Sequence, residues 1–348
     1  MPKLAISGPA TVVFLGAGFS RIAGVPLAGE LFRDEPVVDR VVRQRLVQTV
    51  RTGWLRWQSR VGGSPEEYLA ELEEQGSFPW TEAVWYASLV IALKMGELRE
   101  TSFRRQLQLT KQDLMRRSTP AHEDFWTAIF TRVPLLAVIT TNYDILAERG
   151  MRHQPRPRVP RPGFHYGSGD AYLEGGGYPS FSHLRPIVAS GKVPLLKLHG
   201  SVSWARRGDK LVQYHDCRPA IRGDALIVAP VRGKQPPKVL DPIWHRAKEA
   251  IALAERIVVV GYSLPNYDDQ VTALLRSSRE GCEFRVLDPS PGLDKKYKEV
   301  LRRPVIQHPG LPQAVQNLSF LNEKNEQLGP PRHKQLTLPL SKKDQETR

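Results

Sequence analysis

Cysteine is almost missing from this chain, with Cys217 and Cys282 the only two in 348 residues. Two thiols cannot build a disulfide framework, and neither lies in a Cys-x-x-Cys pair, so a zinc ribbon is excluded. Structural thiols in a reducing compartment are the expectation. Long hydrophobic runs are missing too. Stretches such as Pro134 to Ile139 and Ile257 to Val260 fall far short of the roughly 20 residues that span a bilayer, so no membrane segment is expected. Little chain precedes the first strand-like run at Thr11. It is too short for the three-part pattern of a secretory signal, which makes the cytoplasm the expected location.

Acidic residues are outnumbered, 36 against 50 basic ones, for a net charge of +14. Such an excess suits a polyanionic partner or a basic cofactor cleft. The basic residues are spread over Arg40 to Arg60, Arg104 to Arg117, Arg152 to Arg161 and Lys295 to Arg303, without interleaved aromatics or a nucleic-acid module. They read as a solvated basic surface, which leaves nucleic acid as an indirect partner at most. The apolar share of 41% and charged share of 25% match ordinary folded proteins, so the chain can bury a core.

Short β-branched runs recur at Thr11–Leu15, Leu135–Thr141, Leu195–Leu198, Ala225–Ala229, Ile257–Val260 and Phe284–Leu287. Several are continuous rather than alternating, as strands covered on both faces require, and helical segments lie between them. The expected fold is α/β, a Rossmann-like, doubly wound and mostly parallel sheet. From Val37 to Phe130 the spacing is helical, as in Ala83, Tyr86, Ala87, Val90, Ile91 and Lys94, with a helix start at Ser118-Thr119-Pro120. Residues 1–36 and 131–318 then form the Rossmann domain, 37–130 a helical insertion able to cap the cleft, and 319–348 a polar tail without fixed structure. The stretch 150–191, rich in Pro, Gly and Arg, reads as a lid or binding loop.

Five strand ends carry polar groups or glycines. The run Thr11–Leu15 leads into Gly16-Ala17-Gly18-Phe19-Ser20, a turn whose glycines would let backbone approach a pyrophosphate at the start of a helix. Arg21 stands where the dehydrogenase fingerprint needs its third glycine, so hydride transfer loses its main support. Thr141-Asn142-Tyr143-Asp144 closes the next strand, where ligands of open α/β sheets bind; a helix cap at Asn142 accounts for the same residues equally well. Leu198-His199-Gly200 closes a third. Among nine histidines it is His199 alone that directly follows a buried strand and precedes a glycine, where an imidazole can exchange protons near neutral pH. Gly261-Tyr262-Ser263-Leu264-Pro265 forms another glycine turn, with Asn266, Asp268 and Asp269 behind it. Asp288 ends the Phe284–Leu287 run, a position from which a carboxylate accepts both hydroxyls of a ribose.

Taken in order, Gly16-Ala17-Gly18-Phe19-Ser20 with Gly24-Val25-Pro26, Thr141-Asn142-Tyr143-Asp144, Leu198-His199-Gly200 and Gly261-Tyr262-Ser263-Leu264-Pro265 resemble the sirtuin family, specifically its divergent bacterial branch of NAD-hydrolysing anti-phage defence domains, over roughly residues 10–292. The resemblance implies that Gly16, Ala17, Gly18 and Ser20 hold the pyrophosphate and nearby ribose, that Asn142 and Asp144 face the nicotinamide ribose and carboxamide, and that His199 acts on ribose hydroxyls or the attacking water. Gly261 and Ser263 would line the phosphate and adenosine-ribose side, and Asp288 would hold the adenosine ribose. Deacylating members continue Gly-Val-Pro into Asp-Phe-Arg, whereas this chain reads Leu27-Ala28-Gly29 and lacks the zinc-binding cysteines, which points away from protein deacylation and toward water as the acceptor.

The resemblance further implies an NAD+ glycohydrolase that depletes NAD, needs no metal, works as a homo-oligomer, and is triggered by a separate protein such as a HerA-like ATPase or an Argonaute-type protein. The alternatives are a module that senses NAD or ADP-ribose without turnover, and an ADP-ribosyltransferase or deacylase of sirtuin type.

Overall fold

The β-branched run Thr11–Leu15 forms strand β1 and is fully buried, the pattern expected of a central strand in a covered parallel sheet. The computed structural model describes residues 8–32, 38, 44–76, 78–95, 119–152, 164–166, 172–173, 193–214, 217–229 and 235–321. Beside β1 lie β2 (Leu135–Thr140) and, in chain order, β3 (Phe164–His165), β4 (Tyr172–Leu173), β5 (Val193–Lys197), β6 (Gly200–Arg207), β7 (Lys210–Gln213), β8 (Ala225–Ile227), β9 (Arg256–Val260), β10 (Glu283–Leu287) and β11 (Val305–His308). Seven of them make one sheet in the order β11-β10-β9-β1-β2-β5-β3, with every neighbouring pair parallel. The chain builds outward from β1 through β2 and β5, then returns to the other side of β1 for β9, β10 and β11. This is the Rossmann-like doubly wound arrangement, and its switch point falls between β1 and β9.

Helices α1 (Ala17–Arg21), α2 (Gln44–Val61), α3 (Pro65–Glu74), α4 (Phe78–Lys94) and α5 (Pro120–Arg132) separate β1 from β2. Helix α3 begins with a capping box in which Ser64 and Glu67 satisfy each other's backbone N–H groups, and α5 begins with the equivalent pair Thr119 and His122. Each has proline in its first turn, where the missing N–H costs nothing. Later come α6 (Leu146–Arg152), α7 (Arg218–Arg222), α8 (Asp241–Leu253), α9 (Asp269–Arg276), α10 (Leu293–Leu301) and α11 (Leu311–Asn317). Buried residues of α2 through α5 join those of the large sheet in one hydrophobic cluster, so the helical block shares the core of the domain.

Two sequence expectations change. The run at 225–229 is not a strand of the parallel sheet: β8 lies in a second, four-stranded sheet of order β4-β7-β6-β8, antiparallel to β6. A hairpin explains this second sheet, since β6 and β7 turn back at Gly208-Asp209 with Gly208 at φ +61°, leaving β6's other edge to pair β8. Within the stretch read as a loop, β3 pairs with β5 and β4 with β7; 153–163, 167–171 and 174–192, like the tail from 322, lie outside the described residues. Among the described residues no helix is long and apolar enough to cross a membrane. Cys217 and Cys282 are both buried, and neither is in a disulfide.

Candidate active site at the sheet switch point

At the switch point the turns that follow β1 and β9 interlock. A Cβ on Gly16 would stand 2.5 Å from Tyr262 Cβ, one on Gly18 2.7 Å from Gly261 Cα, and one on Gly261, itself at φ +63°, 2.4 Å from the Phe19 nitrogen. These glycines are therefore needed for the turns to pack on each other, a closer constraint than the approach of a ligand. The turns also bond directly: Gly16 N–H donates to Val260 O at 2.9 Å and Gly18 N–H to Gly261 O at 2.8 Å. Arg21, in place of a third fingerprint glycine, is half-exposed, borders the cavity and pairs with Glu30.

The neighbouring strand ends are stapled to this floor. Thr140 Oγ1 donates to Leu15 O at 3.0 Å and accepts from the Asn142 N–H at 3.0 Å. The Asn142 side-chain nitrogen then donates to Gly16 O at 2.8 Å and Ser20 Oγ at 3.0 Å. With both protons of the amide committed to the first turn, its rotamer is fixed and its oxygen is directed away from that turn. The Asn142 amide thus serves the first turn, while Asp144 accepts from the N–H of Leu146, the first residue of α6, at 2.9 Å.

His199 is buried at the end of β5, and its Nε2 lies 3.6 Å from Asp268 Oδ2, an ion-pair separation. Asp268 also accepts from the Tyr262 hydroxyl at 2.7 Å and caps α9 through the Val271 N–H. Burial works to raise the Asp268 carboxyl, but His199, Tyr262 and Val271 together outweigh it and hold the group below the usual carboxylate range. The resulting fixed anion can orient the imidazole. Gly200 is a glycine for packing reasons: at φ +80° its Cβ would meet Leu226 O at 2.1 Å. Behind the site, Lys197 is wholly buried, donating to Asp144 O and, at 3.0 Å, to Glu148 Oε1, which also accepts from the Tyr166 hydroxyl.

A cavity of about 630 Å3 opens over these strand ends, within the ~300–1,000 Å3 range of small-molecule and cofactor sites. Ala17, Gly18, Ser20, Asn142, Asp144, His199, Gly261, Ser263 and Asp288 all line it, whereas Gly16 is not part of the lining and serves it by holding Asn142 through its carbonyl. His199 follows β5 and Asp288 follows β10, four positions apart in the sheet; at about 4.8 Å per strand spacing that is roughly 19 Å, a span that suits a two-nucleotide ligand better than a single nucleotide. Asp288 accepts from the Ser290 N–H at 2.8 Å. Sequence reasoning missed Asp268 as a partner of His199, and it missed Glu66 and Tyr267, which also line the cavity. Among the described residues no cluster of His, Cys, Asp or Glu could hold a metal ion.

No protein-family model and no curated protein matches the chain. Solved structures similar to it include a Sir2 protein with a p53 peptide and NAD+, 14% identical over 89% of this chain and 92% of that one at a TM-score of 0.39. Another comes from work on the mechanism and regulation of Sir2 enzymes, 16% identical over 90% and 94% at a TM-score of 0.41. A third is Sir2 with an inhibitor, 2'-O-acetyl-ADP-ribose and a deacetylated p53 peptide, 14% identical over 89% and 93% at a TM-score of 0.40.

Proposed function

We propose that this chain binds NAD+ as a substrate across the switch point and hydrolyses its nicotinamide–ribose bond, giving nicotinamide and ADP-ribose. The observation that carries this reading is the convergence of Asn142, His199 and the 16–20 turn on one cavity, with Asp288 on the far side of the two glycine turns. Such a layout supports a two-ended ligand: a ribose on Asp288, a pyrophosphate over the turns, and the reacting ribose beside Asn142 and His199. The N–H groups of Gly16 and Gly18 are spent inside the protein, so in this reading Ala17 and Ser20 of the first turn and Ser263 of the second make the phosphate contacts.

Breaking the C1′–N bond passes through an oxocarbenium-like state that must be stabilised while water is positioned. The Asn142 amide oxygen, directed by the two bonds of its nitrogen, orients the reacting ribose and the water. His199, steadied by Asp268, polarises the ribose hydroxyls, a role typically worth ~100 to 10,000-fold in rate. The helical segment 37–130 acts as a cap over this cleft. The motif order further supports an NAD-depleting role in anti-phage defence, with a homo-oligomer triggered by a separate partner.

Chromatography of NAD+ products from purified parent, His199→Ala and Asn142→Ala proteins, with and without a candidate partner, tests the reading. Both variants should lose nicotinamide release. Equal release from all three refutes the assignment, and saturable NAD+ binding without nicotinamide release replaces it with a sensing module. Transfer of label from NAD+ to macromolecules replaces it with ADP-ribosyl transfer.

A further inference from the structure

Four acids line the cavity; Asp144 is held by Leu146, Asp268 by His199 and Tyr262, and Asp288 by Ser290. The fourth is Glu66, in the first turn of α3, contributed by the helical segment rather than by the sheet. It is 7% exposed, and its Oε2 is buried without a hydrogen-bond partner. Helix capping does not require it, because Ser64 and Glu67 already complete the capping box. A buried carboxyl with an unpartnered oxygen weakens a fold, so its position calls for a reason other than stability.

We propose that Glu66 is a catalytic residue of this cavity, the base that takes the proton of the water attacking the ribose C1′. This rests on the NAD+ hydrolysis proposed above. The water's lone pair forms the C1′–O bond, and the C1′–N electron pair leaves with nicotinamide. The water's proton passes to Glu66 and then to solvent, so NAD+ and water give ADP-ribose, nicotinamide and one proton.

The surroundings favour this role. Burial pushes the Glu66 carboxyl up to about 7, against hydrogen bonding from its own backbone N–H, from Ser64 and from Tyr267 and against the field of His199. A base titrating near the working pH is the most effective one. The groups facing it are His199 at the end of β5, Tyr143 after β2, and Tyr267 and Asp268 after β9, with Glu67 beside it on α3. Burial raises both tyrosine hydroxyls, so they stay neutral donors, and Asp268 lies against His199 and the Tyr262 hydroxyl.

Full-length Glu66→Gln and Glu66→Asp proteins, checked for cooperative unfolding, test the proposal by two readouts: nicotinamide release against pH, and protons exchanged on NAD+ binding, measured calorimetrically in buffers of different ionisation heat. Glu66→Gln should lose about 100-fold or more in kcat, keep KM within about threefold, and lose the acidic limb of the kcat profile near pH 7. Glu66→Asp should keep that limb at a reduced rate. The parent should exchange protons near pH 7 on binding, and Glu66→Gln should not. A Glu66→Gln protein with the parent's kcat and acidic limb, beside a parent that hydrolyses NAD+, overturns the role of Glu66 alone; a parent that releases no nicotinamide overturns that role and the hydrolysis reading together.

Discussion

Replacing Glu66 by glutamine should make this protein more stable above neutral pH and leave its stability in mild acid nearly unchanged. In the unfolded chain the carboxyl ionises around its ordinary 4.5, whereas in the fold it keeps its proton up to about 7. Between those values the folded state binds more protons than the unfolded one, so stability falls as pH rises. The contribution is fully present below 4.5 and is lost as pH climbs through about 7. A shift of some two and a half units, at about 1.4 kcal/mol per unit, corresponds to roughly 3 kcal/mol. Glutamine keeps the shape and cannot ionise, so it escapes the loss. Urea unfolding of parent and variant at pH 5, 6, 7 and 8 measures the difference, and subtracting one protein from the other cancels groups that titrate alike in both. The gap should widen by roughly 3 kcal/mol between pH 5 and 8 in favour of glutamine. A gap that stays constant with pH would refute the reasoning, since it would mean that Glu66 is ionised in the fold throughout.

Three further outcomes follow from the same geometry. Gly261→Ala meets the backbone of Gly18 and Phe19 at 2.4–2.5 Å from a left-handed φ. It should cost roughly 2–4 kcal/mol in denaturant unfolding; unchanged stability with lost NAD+ binding would instead make the ligand the reason for the glycine. Lys197→Met strands the buried Glu148 and should cost roughly 3–5 kcal/mol, with much of it recovered when Glu148→Leu is added, as a double-mutant cycle would measure. Asp268→Asn removes the anion beside His199. It should cut the kcat for nicotinamide release by roughly 10-fold or more, up to about 10,000-fold, as loss of a carboxylate that orients a functional histidine does, with KM little changed. Because the Asp268 carboxyl is held low in the fold, the stability it gives is present above its unfolded value of 3.8 and is lost as pH falls below that, so parent and variant should converge in stability in strong acid.

The parallel sheet was legible because fully covered strands have to be largely apolar and often β-branched, as β1, β2 and β9 are, while β5 and β10 carry fewer β-branched residues and still have short apolar runs. The small second sheet was not: β6, β7 and β8 draw on mixed residues whose pairing depends on a hairpin and on which face the helical block covers. Polar strand ends stood out because a charged or amide group beside a buried strand is expensive without a use. Glu66 did not, since α3 reads Pro-Glu-Glu-Tyr-Leu-Ala-Glu-Leu-Glu-Glu and nothing local separates the one glutamate that turns into a cavity from its less buried neighbours. The glycines were noticed for a different reason from the one that holds them. Adjacency to a ligand and adjacency to another turn leave the same trace in a sequence, and only the fold tells them apart.

The interlocked turns at 16–18 and 261 come from positions far apart in the chain. Neither can settle until the other arrives, so the floor beneath the cavity is a late product of folding, assembled only when β9 has docked beside β1. A truncated or half-synthesised chain that stops before β9 would carry Asn142, His199 and the first glycine turn without a surface on which to array them. Such a chain would lack the floor of its cavity.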